Sequence, residues 1–234
     1  MKTKAILLSI ISIVCASFTT MAQETKPVDT LQTKIKHGLR LGLDVAKPLR
    51  SLLDNNYSGF QVLADFRYNK NMYLAAELGS ETKNYYEQNL NAITSGSYAK
   101  IGVNFNSHKN WLGLNNSIYT GLRYGFATYS QELLAYRVYI IDQNFPGNTV
   151  IVNQKFSGLK AHWLELQLGF KSEIAKNLYI DLHFELKRKL GADLPDGFGN
   201  IYIPGFNQVN DFSEFGVGYG YSLSYLIPLF EKYP

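Results

Sequence analysis

Cysteine is almost absent from the sequence, because its single instance, Cys15, lies near the N-terminus. One cysteine excludes an internal disulfide and any site built from several thiolates. An excess of charge of one sign is also lacking, since 23 lysines and arginines stand against 19 aspartates and glutamates. This balance argues against a nucleic-acid partner, which a strongly basic domain would indicate.

The one long apolar run lies at the N-terminus. Lys2 and Lys4 precede it, it covers residues 5–18, and Thr-Met-Ala follows at residues 20–22. A basic start, an apolar centre and a small-x-small ending are the layout of a secretory signal peptide. We predict cleavage after residue 22, which would also remove Cys15.

After the leader, no segment is apolar for 18 residues, so the sequence predicts no helical membrane span. We interpret residues 23–37 as a polar N-terminal segment on the periplasmic side and residues 38–234 as one β-barrel domain. No linker or low-complexity tract divides that domain.

The domain alternates with a period of two, the pattern of strands with two unlike faces. In the last strand, the residues of one parity are apolar or aromatic: Phe215, Val217, Tyr219, Tyr221, Leu223, Tyr225 and Ile227. The residues between them are mostly glycine or serine: Gly216, Gly218, Gly220, Ser222 and Ser224. Similar splits upstream predict an all-β fold of about eight antiparallel strands, long enough to cross a membrane at roughly 9 to 11 residues each.

Alternation alone leaves two barrels open. A soluble lipocalin-like barrel would bury the apolar set, whereas an outer-membrane barrel would bury the polar set. Glycines such as Gly79, Gly102, Gly121, Gly125 and Gly169 all have the polar parity, and a narrow lumen needs small positions among large side chains. We therefore predict an up-and-down transmembrane barrel with its polar face inside.

The connections support this topology. Lys-Asn occurs at Lys70-Asn71, Lys109-Asn110 and Lys176-Asn177, where asparagine suits a tight turn. These three connections are interpreted as short periplasmic turns. The other connections are interpreted as longer extracellular loops: residues 48–56, 84–94, 131–156 and 191–211.

Charged residues of the polar parity are the candidate lumen network. They are Arg40, Asp44, Asp65, Arg67, Glu77, Lys100, Arg123, Glu165, Lys171, Asp181, His183, Glu185 and Lys187. An eight-stranded barrel is only wide enough to be filled by its own side chains, and buried charges require partners. We predict a structural network; an ion or proton path is the alternative.

Enzyme motifs are weak, and the sequence predicts no catalytic residue, cofactor or metal site. The G-x-G-x-G spacing at Gly216 is followed by no helix, unlike a phosphate-binding loop. His162 and His183 have no serine and acid arranged beside them as in lipid-modifying barrels. Asp193, Asp196 and Asn200 could hold calcium, but Pro-Asp-Gly at residue 195 is first a turn signal.

The third long loop is the candidate surface for a protein partner. Its flanks are rich in β-branched and aromatic residues, and the predicted protruding residues are Tyr136, Arg137, Tyr139 and Phe145. Two paired strands would extend beyond the bilayer, with an edge that could add a partner strand. A passive loop is the alternative.

Three sequence segments resemble those of a known family: GLRYGFATYSQ from Gly121, GLKAHWLELQLGFKSEIAKNLY from Gly158 and NIYIPGFN from Asn200. They resemble the Bacteroidota outer-membrane barrel family designated domain of unknown function 6048, from about residue 38 to the end. The resemblance implies an outer-membrane β-barrel and brings no established activity.

The last strand is also similar to the C-terminal signal read by the barrel-assembly machinery, at Gly218, Gly220, Leu223 and Tyr225. It departs from that signal because the chain continues to Pro234. The sequence thus predicts a monomeric, non-enzymatic protein of the cell outer membrane, whose partners are membrane lipids and the assembly machinery. A surface-interaction or envelope-structural role is favoured; a narrow porin-like channel or transporter is the main alternative, and a lipid-modifying enzyme the third.

Overall fold

The computed structural model of the chain describes residues 35–69, 71–107, 116–138, 148–210 and 212–232. The predicted signal peptide, residues 1–22, and most of the polar segment 23–37 lie outside the described residues. No helix in the described ranges has the length and apolarity needed to cross a membrane.

The described chain forms a closed antiparallel barrel of eight strands. Its elements are β1 (Ile35–Asp44), α1 (Ala46–Leu53), β2 (Tyr57–Arg67), β3 (Met72–Tyr86), β4 (Leu90–Asn106), β5 (Ser117–Arg137), β6 (Thr149–Ala175), β7 (Leu178–Ala192), β8 (Tyr202–Ile203), β9 (Asn207–Gln208) and β10 (Phe215–Lys232). Strands β1 to β7 pair in chain order, and β10 closes the ring between β7 and β1, while β8 and β9 form a separate hairpin. The predicted eight-stranded up-and-down barrel is confirmed.

The apolar parity of the strands faces outward. Ile101 is 67% exposed and Leu78 is 58% exposed, whereas their alternating neighbours Lys100 and Glu77 are buried. This distribution is the reverse of a soluble barrel, in which the apolar set fills the interior. The predicted orientation of the two faces is therefore confirmed.

Short turns lie at one end of the barrel, the turn end, together with Ile35 and Lys232. Strands β6 and β7 are separated there by residues 176–177, and Asn177 adopts a left-handed φ of 64°, as predicted for a tight asparagine turn. Lys70 and the pair Lys109-Asn110 lie outside the described residues.

The opposite end, the loop end, departs from the predicted loops in three places. The connection at residues 48–56, interpreted from the sequence as a long loop, is largely helical, because α1 (Ala46–Leu53) occupies most of it. Residues 84–94 were expected to form a long loop, but β3 and β4 continue pairing to Tyr86 and Asn91. Within the predicted loop 191–211, residues 202–206 pack inside the mouth of the barrel.

Strands on one side of the barrel rise well beyond the apolar exterior. We call this part of the sheet the wall; it consists of residues 90–97 of β4, 128–137 of β5 and 149–160 of β6. Near its upper edge, Tyr136 of β5 pairs with Leu90 of β4 and with Val150 of β6. Outward-facing Ser80, Ser97 and Thr128 stand side by side where the apolar positions end. The wall agrees with the predicted ribbon of β5 and β6, and adds β4 to it.

Candidate functional site

The predicted lumen charges lie on the inner face of the barrel. Twelve are at most 9% exposed, namely Arg40, Asp44, Asp65, Arg67, Glu77, Lys100, Arg123, Glu165, Lys171, Asp181, Glu185 and Lys187. The side chain of His183 is 5% exposed. The pleat places them together because alternate residues of every strand point to the barrel axis.

The centre of the lumen is organised around the ammonium of Lys100 on β4. Its Nζ lies 3.0 Å from carboxylate oxygens of both Glu165 and Glu185, on β6 and β7, and 3.3 Å from Glu77 on β3. Carboxylate oxygens of the three glutamates lie within 4.8 Å of one another, a spacing that could hold a cation. In this structure the ammonium of Lys100 supplies the positive charge between them.

Glu77 links this centre to neighbouring side chains. The Nε of Arg123 donates to it at 3.1 Å, and the amides of Gln61 and Gln167 donate at 3.0 and 3.2 Å. Arg123 also donates to the side-chain oxygen of Asn104 at 2.8 Å. These partners stabilise the buried carboxylate of Glu77, because loss of one partner from a buried ion pair lowers the free energy of unfolding by about 3 to 5 kcal/mol.

A second group of charges lies nearer the turn end. Asp65 accepts from the Nε of Arg40 at 2.6 Å and from Lys171 at 2.7 Å. Lys171 also lies 3.3 Å from Asp181, which accepts from the Tyr119 hydroxyl at 3.0 Å. Strands distant in sequence are thereby joined across the lumen.

His183 connects the two groups. Its Nδ1 lies 2.9 Å from Asp181 and its Nε2 lies 3.4 Å from Glu185. Lys187 binds Glu185 from the other side at 2.7 Å. Because basic and acidic groups alternate throughout, the arrangement stabilises fixed charges and leaves no carboxylate of the central cluster without a cationic partner.

Aromatic rings narrow the lumen at the turn end. The guanidinium of Arg40 lies 4.7 Å from the centre of the Tyr73 ring and 5.1 Å from that of Tyr179. The guanidinium of Arg67 lies 4.9 Å from the Tyr73 ring. These are cation–π distances, and the two tyrosines are buried on the inner face beside the arginines.

The loop end is closed by a segment that the sequence did not reveal. We call residues 200–206 the plug; Tyr202, Ile203 and Phe206 in it are at most 2% exposed. The Phe206 ring meets the Trp163 ring edge-on at 5.9 Å, and Ile203 belongs to the same buried cluster as Tyr98. The interior at this end therefore contains an apolar cluster, whereas the sequence predicted a polar lumen.

Glu81 anchors the plug to the barrel. Its carboxylate accepts from the Tyr202 hydroxyl at 2.5 Å and from the Gly205 backbone N–H at 3.1 Å, and it pairs with Lys47 of α1. Burial, reinforced by the charge of Glu81, raises the pKa of the Tyr202 hydroxyl, so this group keeps its proton and donates. Lys187 donates to the Gly205 carbonyl at 2.8 Å.

Glu81 and Lys47 were missed as lumen residues. Glu81 continues the inward parity of Glu77 and Gly79, so a longer β3 would have included it. Lys47 follows a strand end and carries no alternation signal. Its position depends on α1, whose first turn is held by a 2.8 Å hydrogen bond from the Lys47 N–H to Asp44.

The plug and the preceding Gly199 form hydrogen bonds with the wall. Gln131 of β5 donates to the Gly199 carbonyl at 2.8 Å and accepts from the Ile201 N–H at 3.1 Å. The Tyr129 hydroxyl donates to the side-chain oxygen of Asn200 at 2.8 Å. Asn200 is thus engaged by the wall, and an Asp193 oxygen accepts from the Lys160 N–H at 2.9 Å, so these contacts occupy two of the groups considered for calcium.

Of the remaining predicted residues that the structure describes, only two glycines of β10 line the lumen. Tyr136 and Arg137 are exposed at the top of β5, where they pair with Val150 and Thr149, while Tyr139 and Phe145 lie outside the described residues. In β10, Leu223 and Tyr225 are 42% and 51% exposed on the outer face. Gly218 and Gly220 adjoin the inner side chains of Glu185 and His183.

His162 does not join the lumen charges. Its ring lies 6.1 Å from that of Tyr124, which is 45% exposed on the outer face. It is thus separated from His183, which contacts Asp181 inside the barrel. The two histidines considered for catalysis do not share a site.

Comparison with other proteins places the chain in a family without identifying an activity. A search of curated proteins finds no match. Among solved structures, CarO2 from Acinetobacter baumannii is similar at 10% sequence identity with a TM-score of 0.39, covering 83% of this chain and all of that one. At this level of similarity the fold rests on the strand pairing described above. The family model named "Domain of unknown function (DUF6048)" matches residues 3–232, and the chain belongs to that family.

Proposed function

We propose that the protein is a non-enzymatic outer-membrane β-barrel with a closed lumen, which presents the wall at the cell surface. The apolar exterior supports a membrane location, because leucines and aromatic residues exposed around a whole barrel require a lipid environment. The short turns support an orientation with the turn end in the periplasm and the loop end outside.

The observation that carries the closed lumen is the contact of Lys100 with Glu77, Glu165 and Glu185. This cluster joins four strands, β3, β4, β6 and β7, across the middle of the barrel. The rings beside Arg40 fill the interior below it, and the plug fills the mouth above it. A conducting pore would need all three layers to rearrange.

A surface role is supported by the free edge of β6. Residues 149–159 of β6 pair with β5 on one side. No described strand pairs with them on the other side, because the pairing between β6 and β7 extends only as far as Ala161 of β6. An open edge can accept an extended segment of a partner protein. Asn153 and Gly158, with φ of 50° and 76°, kink this edge and would restrict pairing to short stretches.

Conductance in planar bilayers tests the closed lumen. We expect purified protein to insert without steady current, and a variant with residues 199–208 replaced by a glycine-serine linker to remain nearly silent because the central cluster persists. A variant combining that replacement with Lys100→Ala, Tyr73→Ala and Tyr179→Ala, which opens all three layers, should conduct. Steady current from the unaltered protein would instead support the narrow channel that the polar inner face also suggests.

Deletion of residues 134–152 tests the surface role. The shortened protein should still fold, which a heat-dependent shift in gel mobility reports, and protease treatment of intact cells should no longer cleave the wall. Loss of binding to cells or host proteins would support the surface role. Unchanged binding with a folded barrel would contradict it and leave an envelope-structural role.

A further inference from the structure

Arg188 is a charged residue on the otherwise apolar outer face of β7. The residues before it on the same face, Leu186, Phe184 and Leu182, are 41% to 52% exposed, and Leu190 after it is 47% exposed. Arg188 itself is exposed. Its alternation with buried Lys187 places its guanidinium outside the barrel.

Both lateral neighbours of Arg188 are also apolar. It pairs with Leu164 on β6 and with Phe215 on β10, and its guanidinium lies 6.0 Å from the centre of the Phe215 ring. Leu164 and Phe215 are 41% and 55% exposed. The arginine thus lies at the loop-side border of the apolar exterior, where long basic side chains reach toward lipid headgroups.

Arg188 forms no ion pair with any acidic side chain among the described residues. The nearby carboxylate of Glu214 lies 3.1 Å from the Nζ of Lys189. A guanidinium at the edge of the hydrocarbon region reaches the headgroup layer, where a phosphate anion can pair with it. The protein therefore leaves this position for an anion from outside the chain.

A groove lies beside the guanidinium with room for such an anion. Its volume is about 480 Å³, and its lining includes Arg188, Lys189, Gly191, Leu194 and Glu214. Leu194 is 71% exposed, so an apolar surface borders the charged one. Gly191 and Ala192 contribute little side-chain bulk to the lining.

We propose that this groove binds the phosphate group of an anionic membrane lipid, with Arg188 as the main ligand and the acyl chains lying along Leu164, Leu186 and Val217. Guanidinium and phosphate form bidentate, charge-assisted hydrogen bonds. Lys189, partly neutralised by Glu214, adds a weaker attraction. The inference rests on the proposed membrane location, since the outer face of β7 meets lipid only there.

The test measures lipid binding by protein purified in a neutral detergent. Phosphatidylglycerol added to the micelles should raise the melting temperature more than phosphatidylcholine does. Arg188→Gln should weaken phosphatidylglycerol binding about tenfold, from the loss of a charged hydrogen-bond donor. Lys155→Gln, which removes an exposed lysine from the wall, should bind as the unaltered protein does.

Three results would overturn the proposal. The first is that Arg188→Gln retains the full preference for phosphatidylglycerol. The second is that Lys155→Gln loses as much affinity for phosphatidylglycerol as Arg188→Gln does. The third is that millimolar inorganic phosphate, without lipid, raises the melting temperature as much as phosphatidylglycerol does. The heat-dependent gel shift separates this failure from that of the proposed function. If the unaltered protein folds in lipid vesicles and shows no preference for phosphatidylglycerol, the site is refuted and the membrane barrel stands; if the unaltered protein fails to fold in vesicles, both are refuted.

Discussion

The Glu81 carboxylate on β3 accepts a hydrogen bond of 2.5 Å from the hydroxyl of Tyr202, 121 residues later in the chain. The same carboxylate binds Lys47 from α1 and the N–H of Gly205. One acidic side chain thus joins a barrel strand, a helix and the plug. The mouth of the barrel is consequently closed by polar contacts at Glu81 as well as by the apolar cluster around Phe206.

Tyr202→Phe should loosen the plug without unfolding the barrel. The change removes one donor to a buried carboxylate, and we expect a loss of about 1 to 3 kcal/mol in the free energy of unfolding. Urea titration in micelles measures this loss, and cleavage of the plug by protease should become faster. Tyr136→Phe, at an exposed position on the wall, is the control and should change neither; equal behaviour of the two variants would contradict the role of Glu81.

Lys100→Met should destabilise the barrel strongly, because three buried glutamates lose their shared cation. Removing one partner from a buried ion pair costs about 3 to 5 kcal/mol. The spacing of Glu77, Glu165 and Glu185 further predicts that calcium or manganese will partly restore stability to this variant. Thermal unfolding with and without the ion measures both effects.

The unaltered protein is the control for the restoration by metal, and its melting temperature should not respond, since Lys100 supplies the charge. A metal-dependent rise in both proteins would indicate binding elsewhere. A Lys100→Met protein as stable as the unaltered one would show that the cluster does not require the ammonium.

Gly125→Ala should disrupt the packing at the loop end of the lumen. A Cβ at this position would meet the Trp163 indole, at 2.7 Å from its Nε1, and Trp163 is fully buried. Overpacking of this kind costs about 1 to 3 kcal/mol, measurable by urea titration and by a change in tryptophan fluorescence. Gly199→Ala, where no atom lies within 4 Å of the added Cβ, should be tolerated.

Acid should release α1 from β3. A hydrogen bond from Lys83, at 2.9 Å, lowers the pKa of Asp54 at the end of α1. A depressed folded-state pKa means that the contribution is present above the ordinary aspartate pKa of about 4 and is lost as the pH falls through the lower value. The protection factors of the α1 amides, which are corrected for the intrinsic exchange rate at each pH, should decrease over that range, and Asp54→Asn should show the lower protection already at neutral pH.

Much of the barrel could be predicted because alternation is a local signal. In β7, for example, the apolar Leu182 and Phe184 alternate with the polar His183. Because residues two positions apart in a strand point to the same face, this alternation assigns every residue of the strand to the outer or the inner face. The inward orientation followed from glycines such as Gly125, whose small size accommodates Trp163. Each inference needed only neighbouring residues.

The plug could not be predicted in the same way, because its contacts join distant parts of the chain. Asn200 to Phe206 has no alternation, and its partners Glu81, Trp163 and Gln131 lie on three different strands. The upper parts of β3 and β4 were also missed, since outward serines and threonines there replace the apolar residues that marked the strands below. The pairing of lumen charges likewise depends on strand register, which parity does not determine.

The wall occupies only the β4–β6 side of the rim, while β1 and β2 end at Asp44 and Tyr57. Viewed along the barrel axis from the loop end, the molecule therefore has two different sides. Any partner that adds to the β6 edge would be held at a fixed rotational angle about the barrel axis, and two barrels bridged by that partner would have a defined relative orientation.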